Sequence, residues 1–121
     1  MLSFVPSKDV ETIAIEFEGT ATHEDAMKIN KTIQEKFADK GKFNIYAIVT
    51  ESEGPAFKGL EESMEVSMDA WNQFHKFAVI RFTHMPEQTA EIEKLLPNLQ
   101  VKHFNLDEMN EAWKWIQEEE V

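Results

Sequence analysis

The chain alternates short apolar runs with longer amphipathic stretches. Leu2 to Val5 is apolar and meets a turn at Pro6-Ser7-Lys8-Asp9. Ile13, Ile15 and Phe17 then alternate with Ala14, Glu16 and Glu18, a period of two that predicts a half-buried strand stopped by Gly19. The short interval between the two runs predicts a hairpin. Thr22 followed by His23-Glu24-Asp25 is a helix start, with a capping hydroxyl and acids in the first turn. Ala26, Ile29, Ile33 and Phe37 supply its buried stripe, and Lys40-Gly41 its end. Phe43 to Val49 reads as a central strand covered on both faces.

Gly54-Pro55 opens a second predicted helix, which runs to about Phe74. Phe77 to Phe82 is the next strand. Pro86 fits the first turn of a third helix that carries Ile92, Leu95 and Leu96 and ends at Pro97. Leu99 to Phe104 is the last strand. Asn105 caps a final helix, with Glu108 placed for a capping box and Leu106, Met109, Trp113 and Ile116 as the buried stripe. Three acids, Glu118 to Glu120, oppose the dipole at its end and predict fraying. Trp115 falls off the stripe and is expected to pack, partly exposed, against a neighbouring helix.

The order is ββαβαβαβα: an α/β fold with a single mixed sheet, an opening hairpin, then parallel strands joined by right-handed crossovers. In such sheets the crevice lies beyond the carboxyl ends of the parallel strands. That rim would hold Glu51, Ser52 and Glu53, then Thr83 and His84, then Asn105. The length of 121 residues fits one domain over 1–121.

Charge and composition narrow the function. Twenty-three acids against 12 basic residues give a net charge of -11, which repels phosphate backbones and anionic membranes. Nucleic acid is therefore not an expected partner, and membrane contact would have to be apolar rather than electrostatic. With no cysteine, thiolate catalysis, disulfides and Cys-based metal sites are excluded. The first residues show neither a basic n-region nor an apolar h-region, and no run approaches the ~20 apolar residues of a membrane span. A cytoplasmic location is the expectation.

Several strings resemble the SpoIIAA-like family, whose fold is similar to STAS domains and to CRAL-TRIO lipid-binding domains. They are Phe17-Glu18-Gly19 with Thr22-His23-Glu24-Asp25, Glu51-Ser52-Glu53-Gly54, Phe74-His75-Lys76-Phe77-Ala78-Val79-Ile80, and the run from Phe104 to Trp113. Together they span nearly the whole chain. STAS proteins of the sigma-factor antagonist type switch partners by phosphorylation of a serine in an Asp-Ser-(Ser)-Gly-Leu string at the start of the second helix. Here Gly59-Leu60 is preceded by Phe57-Lys58, so both the aspartate and the serine are missing. Ser52 lies upstream between two glutamates, where a phosphate would meet like charge.

Phe57, Leu60, Met64, Met68 and Trp71 form one stripe along the second predicted helix. Methionine fills irregular gaps in any core, so plain core packing accounts for the stripe. The other reading is an adaptable cavity for an apolar ligand, with Gly54-Pro55 and Gly59 as a hinge. Glu51 and Glu53 with His84 form a conceivable acid–base rim, against the simpler reading of acids exposed in a loop. Histidines 23, 75, 84 and 103 have no zinc spacing, and neither a phosphate-cradling glycine loop nor a nucleophile elbow occurs. No metal, cofactor or catalytic residue is assigned. The first reading is a non-enzymatic module holding a small hydrophobic or lipid-like ligand between the second helix and the sheet, with transient membrane or protein contact. The alternative is a STAS-like regulatory protein-interaction module without the phosphoserine switch.

Overall fold

The protein is described by a computed structural model covering residues 2–9, 11–18, 22–37, 42–49, 71, 74–81, 96 and 99–118. Five strands form one sheet in the order β1-β2-β3-β4-β5. β1 (Leu2–Phe4) runs antiparallel to β2 (Thr12–Phe17), as the hairpin reading requires. Between them Asp9 closes the turn: its Oδ2 accepts from the Glu11 N–H at 3.2 Å and the Thr12 hydroxyl at 2.6 Å. β2, β3 (Phe43–Val49), β4 (Phe74–Arg81) and β5 (Gln100–Asn105) are mutually parallel.

α1 (His23–Phe37) starts where the capping signal places it. The Thr22 N–H donates to Asp25 Oδ2 at 2.9 Å, and the Asp25 N–H donates to Thr22 Oγ1 at 3.2 Å. This reciprocal box satisfies two amide donors that the helix would otherwise leave orphaned. The C-terminal helix, α2 (Met109–Gln117), is reached through a 3-10 turn at Leu106–Glu108. Glu108 Oε1 accepts from the Asn105 N–H at 2.8 Å, which fixes the entry angle.

Strand order decides what covers each face. For strands β2 to β5 set side by side in sequence order, the right-handed rule puts every crossover on one face. The described residues of the connections agree with it. Ala26, Ile29 and Ile33 of α1, Trp71 of the second crossover and Leu96 of the third share one cluster with Ile13, Ile15, Phe43, Ile45, Phe77 and Val79. On the opposite face Ala14, Tyr46, Ala78, Ile80 and Phe104 pack against Ala112, Trp113 and Ile116 of α2. Among the described residues, α1, Trp71 and Leu96 lie on one side of the sheet and α2 on the other.

Four readings of the pattern need correction. β2 is more than half-buried: beside Ile13 and Ile15, Thr12 is buried, and Ala14, assigned to water, is buried in the α2 cluster, while Glu16 is only partly covered. Phe74 belongs to β4 and not to a helix, since its ring stacks on Phe43 at 5.3 Å and lies 5.4 Å from Phe77. Leu106 is 41% exposed, because the 3-10 turn rotates it off the α2 stripe, and Ala112 takes its place. Trp115 packs on the β5 ring of Phe104 at 6.0 Å rather than on a helix. Of the expected rim residues Asn105 alone is described; it ends β5, level with Arg81 of β4.

Candidate functional site

Three places merit description as sites. The first is the carboxyl rim, where Val49, Arg81 and Asn105 lie side by side in register. Glu51, Ser52, Glu53, Thr83 and His84 lie outside the described residues, so no convergence of the Glu51/Glu53/His84 group is on record. The second is the predicted ligand stripe. Phe57, Leu60, Met64 and Met68 also lie outside the described residues, as do Gly54-Pro55 and Gly59. Trp71 is described: it is helical, fully buried, and its ring stands 6.2 Å from Phe43 and 5.7 Å from Phe74. Its indole nitrogen is buried with no hydrogen-bond acceptor among the described residues. A ring held on two sides cannot swing its N–H to water, so this donor is an unmet demand.

The third place was not legible as a site. A buried polar file crosses the sheet near the amino ends of β2, β3 and β4. Thr12, Asn44 and Lys76 are all buried. Asn44 Nδ2 donates to Thr12 Oγ1 at 3.4 Å, and Thr12 Oγ1 donates to Asp9 Oδ2. The register slips between Phe43 and Asn44: Phe43 pairs with Phe74 but Asn44 with Lys76, so His75 is the extra residue of a bulge. Asn44 Oδ1 accepts from the Lys76 N–H at 3.2 Å and so satisfies a strand amide beside the slip. The Lys76 ammonium continues the file to α2, donating to the carbonyls of Trp115 at 2.7 Å and Glu118 at 2.9 Å. The available signal was a polar residue inside one apolar run, Phe43-Asn44-Ile45, and a polar pair inside another, Phe74-His75-Lys76-Phe77.

Above this file Tyr46 stacks on Trp113, with ring centroids 4.3 Å apart and 20° between planes. Burial raises the Tyr46 pKa above its ordinary 10.0, and a hydrogen bond from Trp113 partly offsets the rise. A folded pKa above the unfolded one means the folded chain holds the proton more tightly. Stability from this group is then complete below pH 10 and is lost as pH rises through the folded value. Tyr46→Phe should flatten the alkaline limb of a plot of stability against pH, measured by urea unfolding between about pH 9 and 11. An unchanged limb would place the alkaline loss elsewhere.

Among the described residues no group of three or more His, Asp or Glu side chains is placed to hold a metal ion. No helix among them is long and apolar enough to cross a membrane.

A mixed five-stranded sheet with an antiparallel first pair, parallel strands after it and helices packed on both faces is a STAS-like α/β architecture. The sequence profile of the SpoIIAA-like family matches residues 12–117, and the chain belongs to that family. No curated protein matches it.

Proposed function

We propose that this chain is a non-enzymatic regulatory module that acts by binding a protein partner, as a single domain over residues 1–121 in the cytoplasm. The family match over residues 12–117 carries the reading, because domains of this family are in general regulatory modules that engage proteins rather than enzymes. Phe57-Lys58 before Gly59-Leu60 argues that it works without the phosphoserine switch. Its net charge of -11 favours a partner with a basic face and disfavours nucleic acid. Large apolar side chains stand exposed at Phe4, Met27 and Leu106 and are the first places to probe for contact.

The test is photo-crosslinking in the native cell from Phe4, Met27 and Leu106 in turn, with mass spectrometry of the product. One of the three is expected to give a single partner that excess unlabelled protein displaces, with Ser52 carrying no phosphate. Stoichiometric phosphate on Ser52 overturns the switch-free part; absence of any saturable partner overturns the module.

A second reading is favoured by the Trp71 indole. Leaving a buried donor unmet costs about 1–3 kcal/mol, and an oxygen of a small hydrophobic or lipid-like molecule would relieve it. Phe57, Leu60, Met64, Met68 and Trp71 would line that site, Glu51, Ser52, Glu53 and His84 its rim, and membrane contact would be transient and apolar. Native mass spectrometry of protein taken from cells decides: this reading expects a co-purified apolar mass lost in Trp71→Phe, and bare protein overturns it.

A further inference from the structure

We propose that Lys76 is a catch that holds α2 on the sheet as a hinged cover. Lys76 is 2% exposed, a rare position for a lysine. Its partners are the Trp115 and Glu118 carbonyls, and its ammonium stands 5.4 Å from the centroid of the Trp115 ring. Those carbonyls close the last turn of α2, where the helix dipole is negative and orphan acceptors collect. One charge thus satisfies two acceptors, neutralises the helix end and sits on an aromatic face.

The catch is anchored independently of what it catches. The Lys76 backbone is fixed by pairing in β4 and by Asn44, which is tied through Thr12 to the Asp9 turn. The cover is hinged at its other end, where the Asn105–Glu108 bond and the 3-10 turn join α2 to β5. One further tether, Gln117 Nε2 to the Lys8 carbonyl at 3.0 Å, reaches the turn before β2. α2 has nine residues, too few to persist as a helix in water without its sheet. Releasing the catch therefore frays the helix from its carboxyl end. Fraying that reaches Trp113 uncovers Tyr46, Ala78 and Ile80, whereas the α1 face keeps its own core. The fold is built as a stable half and a releasable half, controlled by one buried positive charge. This inference stands whether the partner reading or the ligand reading holds.

Hydrogen exchange on the full chain tests it, comparing the natural protein with Lys76→Met and Lys76→Arg. Met keeps the apolar stem and removes the charge. In Lys76→Met the amides of 113–118 should exchange roughly 10- to 100-fold faster, the effect of losing one or two charged hydrogen bonds, while those of Phe43–Val49 change by less than about 3-fold. Lys76→Arg should recover part of the protection. A uniform acceleration of both regions, or none at 113–118, overturns the proposal. A second measurement needs no variant. In the natural protein the Lys76 ammonium protons should exchange with water more slowly than those of the exposed Lys31 and Lys36. Equal rates overturn it too.

Discussion

Trp113→Ala is expected to lower the unfolding free energy by roughly 3–5 kcal/mol. The ring is 7% exposed and forms the centre of the α2 face, stacked on Tyr46 and packed with Ala78, Ile80 and Ile116. Its surroundings explain why the loss should approach the full cost of a cavity. Ala14 and Ala78 flank Tyr46 in register and Ala112 adjoins Trp113 in α2, so three of the neighbouring positions are too short to refill the space. The Tyr46 phenol also loses its hydrogen bond from the indole. Urea unfolding checks this: the midpoint should fall with an unchanged slope. A midpoint that stays in place would mean that α2 contributes little to holding the sheet.

Asn44→Ala should cost about 2–3 kcal/mol, more than its modest side chain suggests. The methyl cannot accept from the Lys76 N–H, so a strand amide beside the bulge is left buried and unsatisfied. Thr12 loses its donor from the same side chain. Asn44→Asp retains an acceptor for the amide and should recover part of the loss, although it brings a second carboxylate towards Asp9. Thermal unfolding of the two variants side by side separates the contributions. If Ala and Asp are equally and only slightly destabilised, the Asn44 bond does not support the slip.

The local readings that survived depend on interactions a few residues long. The Thr22–Asp25 box, the Asp9 turn and the Asn105–Glu108 bond join residues two or three apart, and each was visible as a residue type at a spacing. Trp113 and Ile116 were assigned correctly from helical period alone. Apart from Leu106, which a local 3-10 turn displaces, the errors depended on partners elsewhere in the fold. Phe74 continues a helical spacing from Trp71, yet it joins the strand because Phe43 stacks on it across the β3–β4 pair. Ala14 reads as part of a solvent face until the α2 cluster, about a hundred residues later, takes it in.

By itself the sequence determined the five strands, the first and last helices, the direction of the opening hairpin, their caps, the absence of thiol chemistry and the acidic surface. These follow from periodicity, short-range hydrogen bonding and composition. Only the tertiary structure decided that α1, Trp71 and Leu96 share one face, because strand order is a long-range choice that periodicity does not encode. It also decided that α2 alone, among the described elements, covers the other face. The same holds for the buried polar file. Asn44 is a lone polar letter and Lys76 half of a His-Lys pair within apolar runs, and only the one-residue slip between β3 and β4 brings amide, amide side chain and ammonium into line with the end of α2. Burying a lysine is unfavourable unless its charge is met, and what meets it is a helix end 39 residues further along the chain.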